Sequence, residues 1–421
     1  MAVIGPITGF NTTDSNTGNT QDLGRRYVSK DYLIDVYPTI ASSAGDMVSP
    51  GLWTWGSNSG GQLGLASLTH RSSPIQVGTL TNWKQVGCGD LHVSATTTDG
   101  TLFAWGRNAF GQLGLNDITD RSSPVAVGAL TNWKLVIGGE YHTIAIKTYG
   151  TLWTWGANGA GQLGSLNTTT RSSPAQVGSL TTWRLIACGE YHTVATRTDG
   201  TLWVWGRNSL SGVLGLSDTT NRSSPTQVGT LTNWKVISAG YYHSAAIKTD
   251  GTLWVWGHNG FGQLGLLDIV HRSSPVQVGT SNNWKLVTCG GYTTAGIMGD
   301  GTLWTWGHNI NGMLGLNDIV HRSSPVQVGS LTTWKKIYSS GYFSGGLMSA
   351  IKVDNTLWTW GTNTYGQLGL NDIVHRSSPV QVGSLTSWKS AQCGGIGRII
   401  ALRGDGTLWT MGANSRGELG L

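Results

Sequence analysis

The chain has 421 residues, of which only 11% are charged, while Gly reaches 63 and Trp 21. Its 27 basic and 21 acidic residues leave a net charge of +6, spread thinly and without a basic run. That distribution argues against a nucleic-acid footprint, which needs clustered Lys and Arg. No stretch approaches the roughly 18 apolar residues of a membrane-crossing helix, and residues 1–6 lack the basic stretch and apolar run of a secretory signal.

Residues 1–50 do not repeat. The segment 11–20 is polar and rich in Asn, Thr and Gly, and reads as an extended strap. In the following stretch Ser29 is placed to cap a short helix from Lys30, with Tyr32, Leu33 and Val36 on one face and Pro38 as its stop. Residues 41–50 form a linker.

From Gly51 onward the string Gly-Thr-Leu-Trp-Thr-Trp-Gly recurs. Its first copy lacks the Thr, and later copies start at Thr101, Thr151, Thr201, Thr252, Thr302, Thr356 and Thr407, at intervals of 50, 50, 50, 51, 50, 54 and 51 residues. A period of this size marks one supersecondary unit that buries its apolar faces only by stacking on its neighbours. Each copy holds four strand-like pieces. In the second full copy they are 133–137, 142–147, the Leu152-Trp-Thr-Trp155 run, and a short edge strand at 175–177, where Pro174 suits an outer position because it cannot donate to a ladder. A two-residue Asp-Gly turn, as at Asp99-Gly100 and Asp199-Gly200, joins the second and third pieces, with both residues expected at positive φ.

Four antiparallel strands in about 50 residues describe a propeller blade. The prediction is an all-β, seven-bladed β-propeller over 51–421, preceded by a docking arm and linker at 1–50. Seven Trp-Lys/Arg inner strands and seven Arg-Ser-Ser-Pro loops stand against eight Leu-Trp strands. Closure is therefore expected through pairing of 52–56 and 75–77 onto 388–403, with 407–412 competing for one place.

The tryptophans read as core. Each can bury about 150–250 Å², on the order of 4–6 kcal/mol before entropy is subtracted. Cys88, Cys188, Cys289 and Cys393 occupy one repeat position, too far apart for disulfides.

A search for chemistry yields scaffold instead. His92, His142, His192 and His243 share a position at the head of an inner hairpin and are expected to bond backbone rather than metal. His271, His321 and His375 read as outer-loop residues, and Asp117, Asp218, Asp268, Asp318 and Asp372 as braces of that loop. No nucleophile elbow, phosphate loop or metalloprotease helix occurs, so no catalytic, cofactor-binding or metal-binding residue is assigned. The seven loop arginines are expected to hold their loops through a neighbouring carbonyl or an Asp such as Asp117; the functional alternative is a ring for an anionic polysaccharide or partner protein. The positions that vary most lie between Asn and Gly of the long loop, and Phe110, Leu210, Phe261, Ile310 and Tyr365 are the candidate contact residues, since rigid scaffolds present function on loops.

The string Gly-Thr-Leu-Trp-Thr-Trp-Gly-x-Asn-x-x-Gly-Gln-Leu-Gly, with Pro-Val-Gln-Val and Cys-Gly-x-Tyr-His-Thr, resembles the regulator-of-chromosome-condensation repeat over 51–421. The resemblance implies a seven-bladed propeller. It does not fix one activity, because that family includes a nucleotide-exchange factor, a plant photoreceptor, ligase-associated modules and secreted inhibitors. The photoreceptor's tryptophans are replaced here by Tyr141 and Tyr191, and the exchange factor's divergent wedge has no counterpart in blades where one twelve-residue string returns unchanged at 268–279, 318–329 and 372–383. The segment 26–38 in front of the propeller is similar to structural proteins of tailed bacteriophages.

The expectation is thus a non-enzymatic structural and interaction protein, a virion component of tail, baseplate or capsid surface, assembled in the host cytoplasm. Its arm, through Arg25, Arg26, Tyr27, Lys30, Tyr32, Leu33 and Tyr37, docks into a larger assembly in several copies, while the propeller meets a host surface protein or glycan. The alternatives are a soluble protein-binding propeller, exchange-factor-like or inhibitor-like and cytoplasmic, or a glycan-binding module. No cofactor, nucleic acid or membrane span is expected, and near-identical blades offer no differentiated pocket for an enzyme.

Overall fold

The computed structural model describes residues 92–209, 211–339, 346–364, 366–370 and 372–394, with shorter pieces at 33–35, 53–56, 64–68, 71–77, 79–80, 82–89, 398–403 and 408–412. The second copy shows the unit. Trp133–Gly138 is innermost, then His142–Lys147, Leu152–Gly156 and the outermost Arg171–Gln176, all antiparallel and in chain order. The same four-stranded sheet recurs within 83–126, 183–227, 234–277, 284–327 and 334–381. These are six blades of an all-β propeller of the seven-bladed class.

The outer strand starts earlier than expected, at Arg171, so Pro174 lies within it. It lies on the free edge, where a missing N–H removes no ladder bond. The connection between second and third strands also differs from the expected two-residue turn. Gly100 N donates to Thr97 O at 3.0 Å and Thr97 N to Thr101 O at 3.0 Å, which makes a three-residue loop, 98–100. Only Gly100 takes positive φ, at 84°. This is a type I turn closed by a glycine bulge, the next most common hairpin solution. A Cβ at residue 100 would stand 2.2 Å from Thr131 O, so the turn also seats against the start of the next blade.

At the chain ends, Trp388–Gly394, Arg398–Arg403 and Leu408–Gly412 form a three-stranded sheet, while Trp53–Gly56 pairs with Arg71–Gln76 in a separate two-stranded sheet. The third place of the last sheet is therefore held by 408–412. The expected pairing of 52–56 onto 388–403 is not formed among the described residues. In the arm, Leu33–Asp35 is a strand, not part of a helix, and pairs antiparallel with Gln85–Gly87 on the innermost strand of blade one. Three consecutive backbone partners outweigh a single amphipathic turn that has no apolar surface of its own to cover. Of the candidate arm residues, Arg25, Arg26, Tyr27, Lys30, Tyr32 and Tyr37 lie outside the described residues, and Leu33 is described only as strand backbone.

Blades pack by one rule. Trp133 and Trp155 of blade two join Leu102, Leu113 and Val127 of blade one in a single buried cluster, and the pattern returns between each later pair, ending with Trp388 on Leu347, Leu357 and Leu368. Within a blade the indoles meet edge to face, Trp133 lying 5.9 Å from both Trp153 and Trp155. Trp105, Trp155, Trp205, Trp256, Trp306 and Trp360 are wholly buried. The first Trp of each pair is only half-buried, and in three blades a lysine covers its ring: Lys147, Lys248 and Lys352 lie 3.4–3.5 Å from the ring centres of Trp153, Trp254 and Trp358.

A second lock is polar. His92 Nε2 meets Thr143 Oγ1 of the next blade at 2.9 Å, and that hydroxyl donates back to Gln112 O at 2.8 Å. His192 with Ser244 and His243 with Thr294 repeat the bond. The partner is thus a side chain of the neighbouring blade, not the expected backbone. Cys188 and Cys289 are buried, and neither is joined in a disulfide.

Candidate functional site

Because each second strand runs antiparallel to its neighbours, the short connection 139–141 and the long loop 157–170 leave the sheet at the same end. Ala157 N donates to Tyr141 O there at 2.9 Å. This end of the blades is the loop face; the three-residue hairpin turns and the connections such as 177–182 form the other end.

The long loops are held rigidly. Buried Asn309 donates from its amide to Asp318 O and Val320 O and accepts Leu314 N–H at 2.8 Å. Asp318 accepts Val320 N–H and pairs with Arg322. Arg121, Arg222, Arg272 and Arg376 pair likewise with Asp117, Asp218, Asp268 and Asp372, so the loop arginines are braces for their own loops. Arg171 has Asn167, and Arg71 has Ser67, where these five have Asp. His271, His321 and His375 accept the backbone N–H of Asn259, Asn309 and Asn363 through Nδ1 at 2.8–3.0 Å, while Asp120 and Asn221 do the same with a side-chain oxygen. That position needs an acceptor, which explains why Asp, Asn and His interchange there. The extra residue at Ser211 is absorbed without loss of the staple, since Asn208 still accepts Leu214 N–H at 2.8 Å.

On this uniform frame one sector is differentiated. Glu140 on blade two and Glu190 on blade three come together, and the hydroxyls of Tyr241 and Tyr242 on blade four stand within hydrogen-bonding range of Glu190. Arg207 supplies the nearby positive charge and lies 5.4 Å from the Tyr191 ring centre. All of these side chains are half-buried. Burial pushes the Glu190 carboxyl above its ordinary pKa, against the lowering effect of the phenol hydrogen bonds and of Arg207. Burial also raises the Tyr241 and Tyr242 phenols, and the carboxylate beside them adds to the shift.

Tyr242 links this group to a second one, lying 6.1 Å from Tyr292. Tyr292 meets Phe261 at 5.0 Å, Phe261 meets His308 at 4.6 Å, and the imidazoles stack in two pairs, His258 on His271 at 4.5 Å and His308 on His321 at 4.7 Å. Burial and the facing imidazole hold His258 down to about 4.

Of the loop residues chosen from sequence, Phe261 sits inside this cluster. Phe110 is 40% exposed and leans on Tyr141 at 5.2 Å, and Ile310 is exposed on the neighbouring loop. Leu210 and Tyr365 lie outside the described residues. Glu140, Glu190 and Tyr241 were not singled out from the sequence, although they share one position of the inner connection, directly after its Gly, whose residue type changes from blade to blade; Tyr242 follows at the position that Tyr141, Tyr191 and Tyr292 also fill. The strands are uniform and the inner connections are not, so variation between blades extends beyond the long-loop positions chosen from sequence. Among the described residues no group of three or more His, Cys, Asp or Glu is placed to hold a metal ion, and no helix is long and apolar enough to cross a membrane.

A family model described as the RCC1-like domain matches residues 47–285, and one for the regulator of chromosome condensation (RCC1) repeat matches 300–347 and 354–395. The chain belongs to the RCC1-like domain family. A curated relative, the Protein RCC2 homolog of Xenopus laevis, is 38% identical over 73 residues, which is 17% of this chain and 14% of that protein. The chain thus matches only a small part of that relative's length. Among solved structures, human WBSCR16 superposes with a TM-score of 0.68 at 20% identity, covering 86% of this chain and 98% of that one. Prp20p of Saccharomyces cerevisiae, described with its binding properties to Gsp1p and histones, gives 0.66 at 18% identity, covering 86% and 91%. At such identities these structures establish the fold of this RCC1-like propeller and nothing finer.

Proposed function

We propose that this RCC1-like propeller is a non-enzymatic protein-binding module that engages its partner through the loop face over blades two to five. The observation that carries the reading is the concentration there of the half-buried Glu140, Glu190, Tyr241, Tyr242 and Phe261 around the buried Tyr292, on loops braced by buried Asn and by Asp–Arg pairs. Aromatic anchors on a rigid frame are the usual carriers of protein–protein affinity. The yeast relative's description with Gsp1p and histones supports the same class of activity.

Assembly into a virion through 1–50 has no support among the relatives named above, and the arm segment that is described, 33–35, pairs with the chain's own blade one. A glycan-binding face lacks a specific observation in its favour.

The test compares two double variants for formation of a stoichiometric complex in extracts of the source cells, read by native mass spectrometry. Phe261→Ser with Tyr292→Ser is expected to abolish the complex. Leu130→Ser with Leu180→Ser, exposed at the opposite end, is expected to preserve it. The reverse outcome would place the docking surface at the other end.

A further inference from the structure

We infer that the long loops of blades four, five and six are closed by a proton-sensitive latch, in which one histidine per loop holds the loop entrance only while it is neutral. The backbone N–H groups of Asn259, Asn309 and Asn363 donate to Nδ1 of His271, His321 and His375 at 3.0, 2.9 and 2.8 Å. A ring nitrogen that accepts a hydrogen bond carries no proton, so each of these imidazoles is neutral as bonded. Protonation puts a hydrogen on Nδ1 and turns the acceptor into a second donor, facing the N–H it had held. The three asparagines are wholly buried, so the released N–H loses its partner away from solvent. The three histidines are exposed, where a proton reaches them directly.

Blades one and three supply the control within the same molecule. There Asn108 N donates to Asp120 Oδ1 and Asn208 N to Asn221 Oδ1. Among Asp, Asn and His, only imidazole ordinarily changes charge between about pH 5 and 8. His271 faces the His258 ring at 4.5 Å, and its own loop holds the Asp268–Arg272 pair. His321 faces His308 at 4.7 Å and Phe261 of the preceding blade at 5.6 Å, in a loop that holds the Asp318–Arg322 pair. In blade six Thr362 replaces the stacked imidazole, and the loop of His375 holds Asp372 with Arg376. The two charges of each pair cancel. Burial holds His258 down to about 4 and lowers His308, so neither adds a second charge in mild acid. The Asn259 side chain still bonds Asp268 O and Leu264 N–H, so protonation frees the entrance and leaves the rest of the loop stapled.

Hydrogen–deuterium exchange of the full-length chain at pH 7.5 and 5.5, expressed as protection relative to the intrinsic amide rate at each pH, tests the latch. Peptides that open the loops at Asn259, Asn309 and Asn363 are expected to lose at least about fivefold in protection in acid, and those at Asn108 and Asn208 less than about twofold. His271→Asn/His321→Asn/His375→Asn installs the acceptor that blade three already uses. This variant is expected to keep its protection at pH 7.5 and to abolish the acid loss. Equal loss in all these loops, no loss at the histidine loops, or a loss that persists in the triple variant overturns the inference. Because Phe261 lies in the first of these loops, a partner docked over it is expected to leave wild type in acid and to stay on the triple variant. That corollary rests on the loop-face reading above; if exchange follows the latch and the partner stays on wild type in acid, the loop-face reading fails and the latch stands.

Discussion

Acid is expected to loosen this propeller blade by blade. His92 and His192 are wholly buried, and burial together with the His142 ring holds each down to about 3; His142, also buried, is held down to about 4. Their imidazoles stay neutral in the folded chain, while in the unfolded chain they take protons below about 6.5. The folded values are depressed, so stability is complete above that pH and is withdrawn as pH falls towards 4. Each pH unit in that window costs about 1.4 kcal/mol per histidine, so the three together remove about 6 kcal/mol at pH 5. That is comparable to the whole stability of many domains, about 5–15 kcal/mol. Guanidinium unfolding followed by tryptophan fluorescence at pH 7, 6 and 5 measures it. The midpoint should drop steeply, and His142→Gln should reduce the pH dependence by about one third, since one of the three titrating groups is removed. Hydrogen exchange at pH 5 should rise first between blades one and four. A midpoint that does not move between pH 7 and 5 refutes the argument.

Three further outcomes follow from the packing. Trp205→Ala removes a wholly buried ring and its 2.9 Å bond to Gln162 O in the preceding blade, and should cost about 3–5 kcal/mol in chemical unfolding. Gly161→Ala combines φ of +82° with a Cβ placed 2.7 Å from Ser223 Cα of the next blade, and should cost more than the roughly 1 kcal/mol of a strained φ alone. Asp318→Asn breaks the ion pair with Arg322 on a partly exposed loop while keeping an acceptor for Val320 N–H, and should shift stability by less than about 1 kcal/mol.

The blades were legible because each strand announces itself twice, by alternation and by a turn residue, and the announcement is repeated at a fixed period. The pairing of Asp with Arg in the long loop was legible for the same reason. Two local geometries were misread. Asp-Gly between strands suggested a turn with two positive φ values, whereas Asp99 instead accepts Thr101 N–H at 3.1 Å and leaves only Gly100 left-handed. The amphipathic run near Lys30 suggested a helix, whereas its middle finds an unpaired backbone edge on blade one. The acidic–aromatic sector was hidden because its residues come from four different blades and no local motif unites them. The signal available was the changing residue after Gly139, Gly189 and Gly240, which is Glu140, Glu190 and then Tyr241. A repeat search discounts such changes as noise, although they are the positions where one blade differs from the next.

The central claim, that a protein partner docks on the loop face over blades two to five, is tested most directly by hydrogen–deuterium exchange of the full-length chain with and without the protein that co-purifies with it. The account predicts new protection at 139–142, 189–192, 240–243, 258–263 and 290–293. Protection confined to the hairpin turns at 98–100, 148–150 and 198–200, with the loop face unchanged, would contradict it.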